Sequence, residues 1–253
     1  MNMACIGGTG GAILLKLSLA EGSRVLDMQV FRNISMLTAA SAQVFFANLH
    51  PVKSLPWQDR VHILFWRCVT GQSYFLLFNF CLMLVPLTFQ QIILQTFTFW
   101  AGVIAFCVFN ERMTPLEIIS LFTCFGCMVT ITITGANNSS DGQASSEDAE
   151  TTNYSTLQLM IGYPLCLALS LTAACNLTFN RALKGVNSGL IIFWHASFGL
   201  FLAVTGVIGE YFVRDRGSGE GFHLFNMSPK CYGLMIAAAI GDTMGVSFFT
   251  IAA

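Results

Sequence analysis

Residues Leu84 to Gly135 read LVPLTFQQIILQTFTFWAGVIAFCVFNERMTPLEIISLFTCFGCMVTITITG. Two apolar runs lie within it, Thr88 to Asn110 and Pro115 to Gly135. Each holds about the 20 residues needed to cross a hydrocarbon core of roughly 30 Å. Between them Thr114 suits an N-cap, Pro115 the first helical position, and Glu117 completes a T-x-x-E capping box. The spacing predicts a transmembrane hairpin whose second helix starts at Pro115, with Glu111 and Arg112 in the turn at the membrane surface.

The whole composition agrees with a lipid bilayer as the partner. Of 253 residues 55% are apolar and 10% charged, with a mean hydropathy of +0.66, against about 25% charged in soluble domains. Net charge is −1, so nothing marks a nucleic-acid partner, and no basic cluster marks an anionic-lipid patch. The nine cysteines fall within or at the ends of apolar runs and read as reduced packing residues rather than a disulfide framework.

The first apolar run, Met3 to Leu19, contains Gly7-x-x-x-Gly11, a motif for close helix approach. The competing reading is a signal peptide, since Ser18-Leu19-Ala20 has the small-x-small form of a cleavage site. Against it, no Lys or Arg precedes the run and Lys16 interrupts it. Lys16 either snorkels to an interface or faces a polar pathway. The second run, Val30 to Leu49, opens with Arg32, a juxtamembrane anchor or a pathway residue. The third, from Ile63 to Val85, carries Arg67, Gln72 and Asn79. A charge at the depth of Arg67 asks for a partner or a wet cavity.

Ala136 to Thr156 is acidic, polar and without Lys or Arg, which makes it a flexible linker. Sequons at Asn137, Asn138 and Asn153 point to glycosylation on a non-cytoplasmic face. Three further spans follow, Leu157 to Arg181, Leu190 to Val213 and Lys230 to Ala253. With a cytoplasmic N-terminus the inner loops carry Lys53, Arg60, Arg112, Arg181 and Lys184, and the outer loops Arg24, Arg214, Arg216 and Lys230. This orientation puts the acidic linker outside.

The turn Asn110-Glu111-Arg112-Met113-Thr114-Pro115 is similar to the E-R-x-T-P turn between the fourth and fifth helices of an EamA-type repeat, with a helix-interior glycine near Gly126. On these residues and the order of helices, the chain resembles EamA-type transporters of the drug/metabolite transporter superfamily. Nucleotide-sugar carriers and their solute carrier family 35 relatives belong to that superfamily. Phe97 stands where a mid-helix proline is common, and Ser120 where a glycine usually follows the turn. The resemblance implies an all-α polytopic membrane protein of two five-helix repeats that carries a small-molecule substrate. Its location would be multi-pass, in the plasma membrane or the ER/Golgi endomembranes.

Sliding the chain on itself by 163 residues sets Gly22 on Gly185, Phe31-Arg32 on Trp194-His195, and Arg67-Cys68 on Lys230-Cys231. Span falls on span, as an internal repeat requires. Residues 1–135 then form a first repeat of five helices, 136–156 the linker, and 157–253 a second repeat of three helices. Ala253 falls opposite position 90. The register therefore leads one to expect a fragment with about eight of ten helices.

No metal-ligand spacing, nucleophile elbow or phosphate loop is present, so neither an enzyme nor a cofactor or metal is expected. What remains is a set of polar side chains inside spans. Asp242 lies within Gly241-x-x-x-Gly245, and the register pairs it with Asn79. Asn176 and Asn180 share a helix face, and Gln90, Gln91 and Gln95 add hydrogen-bonding groups. These residues, with Arg67, Lys16 and Arg32, are candidates for a substrate or ion pathway or for interhelical hydrogen bonds. The expected function is secondary transport of a small polar metabolite by alternating access. The alternative is a non-transporting membrane protein that associates with itself or another partner.

Overall fold

The computed structural model describes residues 2–55, 60–109, 114–116, 118–120, 122–123, 126–127, 130, 156–215 and 223–252. Among them the regular structure is helical: α1 (Asn2–Ala20), α2 (Val25–Phe46), α3 (Val61–Leu84), α4 (Leu87–Leu94), α5 (Phe97–Phe109), α6 (Thr156–Ala182), α7 (Ser188–Glu210) and α8 (Pro229–Ala252). Thr114 lies outside a helix and Pro115 inside one, and Ile118 N donates to Thr114 O at 3.1 Å. The second helix of the hairpin thus begins where its capping chemistry predicts. Glu111, Arg112 and Glu117 lie outside the described residues, as do the sequons Asn137, Asn138 and Asn153.

Three segments are long and apolar enough to cross a membrane, Phe89–Cys107, Met160–Ala182 and Ser188–Val213. The distribution of polarity matches that solvent. Phe46, Phe65, Trp66, Phe106, Met160 and Phe201 face outward, while Gln29, Arg32, Asn33, Arg67, Gln72 and His195 are buried. In water the two sets would change places; facing hydrocarbon, backbone and polar groups must be satisfied inside.

The chain divides into two compact units, Met1–Leu76 with Phe179–Ala253, and Leu77–Thr178. In the first, α1 packs along α8, and α2 packs on both α7 and α8. Gly11 brings α1 against the α8 backbone, where a Cβ would lie 3.6 Å from Asp242 N and 3.7 Å from Ala238 O. The close approach expected of that glycine therefore occurs at Asp242. Met36, Ala40, Ile192 and Ala196 form the apolar part of the α2–α7 seam. The two helices run antiparallel: Gly189 meets Gln43, Gly199 meets Asn33 and Gly206 meets Leu26.

Gly22 and Gly185, at the corners before α2 and α7, have φ of 94° and 97°. L side chains rarely adopt such angles, so these corners need glycine. Asn187 caps α7 by accepting from Gly189 N at 2.9 Å, and Arg60 Nη1 donates to Lys184 O, just past α6, at 2.7 Å. Where α1 and α7 end and α2 and α8 begin, ion pairs join Glu21 to Lys230 and Arg24 to Glu210 (3.3 Å), and a hydrogen bond joins His223 Nδ1 to Asp27 Oδ2 (2.8 Å).

The second unit contains α4 and α5. Together they make the expected apolar span, Phe89–Cys107, with a tight turn at Gln95–Thr96 inside it. Thr96 Oγ1 donates to Ile93 O at 2.7 Å and Thr98 Oγ1 to Gln95 O at 3.1 Å. The Thr96 and Phe99 amides bond three residues back, to Ile93 and Thr96. Hydroxyls competing for helix carbonyls tighten this turn without any proline. Within the same unit the Gly162 Cα packs at Leu84 and Val85, and Gln90 Nε2 donates to Phe78 O at 3.1 Å.

Candidate functional site

Arg32 lies deeper than the entry position the sequence suggested. Helix α2 starts at Val25, because the stretch before Val30 contains no breaker. Arg32 therefore sits in its second turn, and Gln29, Arg32 and Asn33 fall on one face at i, i+3 and i+4. All three are buried. Arg32 Nε donates to Asp242 Oδ2 on α8, and its guanidinium carbon stands 3.8 Å from the centroid of the Phe75 ring, a cation–π contact. The anchor reading is therefore replaced by a buried ion pair.

Arg67 is supported from two sides. Its Nε donates to Asn180 Oδ1 at 2.6 Å, and its Nη1 lies 3.4 Å from His195 Nδ1. Gly71, one turn along α3, provides the room: a Cβ there would come within 2.6 Å of both Arg67 Nη1 and His195 Cε1. A guanidinium only donates, and the Gln72 Nε2 amide group 3.1 Å from His195 Nε2 also only donates, so a neutral imidazole accepts from one of the two and not from both.

Gln72 is the hub. Its Nε2 donates to His195 O at 3.0 Å and to Asn33 Oδ1 at 3.2 Å, and its Oε1 accepts from Gln29 Nε2. Asn33 Nδ2 in turn donates to Gln29 O at 2.8 Å. Gly199 lets α7 approach, since any Cβ there would overlap Gln72 and Asn33. On the far side of the ion pair Thr243 Oγ1 donates to Ser35 Oγ at 3.0 Å.

Of the residues singled out from sequence, Arg32, Arg67, Asn180 and Asp242 come together in this cluster. Asn79 is buried, Asn176 half-buried and Gln95 exposed, and all three belong to the second unit. Lys16 is half-buried on α1. Sequence reading missed Gln29, Asn33, His195 and the hub role of Gln72. Helical spacing from Arg32 signals the first two, and the 163-residue shift from Arg32 lands on His195.

Among the described residues no group of three His, Cys, Asp or Glu has metal-holding geometry. Chemically the cluster offers two guanidinium groups, one carboxylate, a neutral imidazole and several amides, shielded by apolar helix faces. Fold and cluster together define a helical membrane protein with a charged, hydrogen-bonded interior. The chain matches no known family model, and no curated protein is similar to it.

Proposed function

We propose that the chain is a multi-pass membrane carrier resembling the EamA type, moving a small polar metabolite by alternating access between two related halves. The observation that carries this reading is the buried cluster itself, to which helices from before and after the acidic linker both contribute charge. Ionisable groups at such depth are expensive and mark substrate or ion pathways. The packing of α2 on α7 supports it further. These helices start 163 residues apart, at 25 and 188, follow glycine corners of the same conformation, and cross antiparallel. Equivalent helices crossing antiparallel is what an inverted repeat about an axis in the membrane plane produces.

The same register shifts further along the chain. Helices α3 and α8 start 168 residues apart, at 61 and 229. The counterpart of Asp242 is then Tyr74, not Asn79. Tyr74 and Arg32 both lie within electrostatic reach of Asp242.

The test is flux in phosphatidylcholine liposomes holding the full chain, measured with a panel of polar metabolites with and without a pH gradient. Uptake of at least one solute, lost in Arg32→Gln, is the expected result. Absence of flux, with a stoichiometric partner co-purifying, would instead establish the interaction protein.

A further inference from the structure

The charges of the buried cluster do not balance. Arg32 engages Asp242 through Nε, while its Nη1 is buried and has no hydrogen-bond partner. Arg67 is 3% exposed, and the two side chains it meets, Asn180 and His195, are neutral. No carboxylate pairs with it among the described residues. Nearby carboxylates are committed elsewhere in the first unit: Glu21 to Lys230, Asp27 to His223 and Glu210 to Arg24. A run of contacts through His195 and Gln72 joins Arg67 to Gln29 and Asn33, which share a helix face with Arg32.

Donors also exceed acceptors. Asn180 Nδ2, like Arg32 Nη1, is buried without a partner, and Gln29 Oε1 is the one unpartnered acceptor in the cluster. Buried donors and an uncompensated buried charge are each costly. Retaining both in one place makes sense when a second molecule completes them. Planar guanidinium forks match oxygens of carboxylate and phosphate groups better than any other common partner.

We propose that Arg32 and Arg67 bind an oxyanion, a carboxylate or phosphate group, with Asn180 Nδ2 as a further donor and Gln29 Oε1 receiving a hydroxyl or amine of the same ligand. This rests on the carrier reading for the statement that the oxyanion belongs to a transported metabolite. The binding chemistry stands on the cluster alone. An anionic lipid headgroup carries the same chemistry, so the source is decided by experiment.

The experiment is thermal unfolding of the full chain in nanodiscs of neutral phosphatidylcholine, titrated with inorganic phosphate, with succinate, with sodium chloride at matched ionic strength, and with glucose. Phosphate or succinate is expected to raise the midpoint saturably, as ligand binding to the folded state does, and chloride and glucose are not. Arg67→Gln is expected to raise the midpoint without ligand, because it removes an uncompensated buried charge, and to abolish the oxyanion response. Arg67→Lys keeps the charge without the fork and is expected to weaken binding at least tenfold. Equal midpoints in all four titrations, or a midpoint lowered in Arg67→Gln with the oxyanion response intact, would overturn the proposal. Stabilisation by phosphatidylglycerol discs, with no further gain from phosphate, keeps the site and assigns it to a lipid headgroup. Oxyanion binding without liposome flux keeps this inference and removes the carrier reading. Flux of a neutral solute without any oxyanion response does the reverse.

Discussion

Arg32 on α2 and Asp242 on α8 form an ion pair across 210 residues of chain. Asp242 retains 22% side-chain exposure and Arg32 only 5%, so loss of either partner is felt unequally. In Asp242→Asn the guanidinium stays buried without its counter-charge, a loss of about 3 kcal/mol. Arg32→Gln leaves a carboxylate that has some access to solvent and is expected to cost less. The double variant should lose clearly less than the sum of the two, with a coupling of about 1 kcal/mol or more. Unfolding midpoints of the four proteins in one detergent measure this, and strict additivity would show that the pair contributes nothing.

Gly71→Ala and Gly10→Ala place the same methyl group in opposite surroundings. At Gly71 the new Cβ would meet Arg67 Nη1 and His195 Cε1 at 2.6 Å, whereas at Gly10 nothing lies within 4 Å. His195 is wedged between Arg67 and Gln72 and held by a hydrogen bond to its own carbonyl, so it cannot step aside cheaply. Gly71→Ala is expected to cost about 1–3 kcal/mol by overpacking. Gly10→Ala is expected to be neutral or to gain up to about 1 kcal/mol from helix propensity. Thermal unfolding in detergent ranks them, and equal midpoints would mean that α3 and α7 are not packed as described.

The polar pairs at the α1–α2 and α7–α8 corners should not be equally important. Asp27 is 3% exposed beside His223, whereas Lys230 and Glu21 are 70% and 36% exposed. Solvent and salt screen the exposed pair, so Glu21→Gln is expected to change stability by less than about 1 kcal/mol. Asp27→Asn removes a charge-assisted bond in a buried setting and is expected to cost about 1.5–3 kcal/mol. Unfolding midpoints at low and high sodium chloride test the distinction, which requires the Glu21 effect to shrink with salt and the Asp27 effect to persist.

Much of the architecture was legible because the bilayer restricts what a backbone can do. Apolar length marked the helices, and Pro115 marked the start of one. Arg67 announced itself as a residue that must be met inside the protein, because a lone charge within an apolar run needs a partner, and Asn180 and His195 meet it. Three features were not legible, each for a physical reason. The break at Gln95–Thr96 comes from threonine hydroxyls bonding helix carbonyls, a choice that threonine makes only in context. His195 gave no signal because a histidine inside an apolar run is as readily a packing residue as a functional one. A shift without gaps cannot register that α8 starts 41 residues after α7 while α3 starts 36 after α2, so the 163-residue register that pairs Asp242 with Asn79 does not keep these two helix starts aligned.

The antiparallel seam of α2 and α7 can be tested in the membrane by a disulfide. A Cβ built on Gly189 lies 3.1 Å from Gln43 Cβ, and disulfides span about 3.5–4.5 Å between these atoms. A shift of a few tenths of an ångström therefore permits the bond between Gln43→Cys and Gly189→Cys. Cys81 and Cys166 also approach each other within the second unit, so both are replaced by alanine beforehand, and exposed Cys107 and Cys127 by serine. A protease site inserted between 136 and 156 then separates the chain into two fragments after cleavage. On a non-reducing gel the Gln43→Cys/Gly189→Cys protein is expected to stay joined and to separate on reduction. Gln43→Cys with Gly206→Cys is the control: Gly206 packs against Leu26, which lies about 25 Å from Gln43 along α2. Cross-linking of the control pair in preference to the first would reverse the direction of α7 and dissolve the cluster built on it.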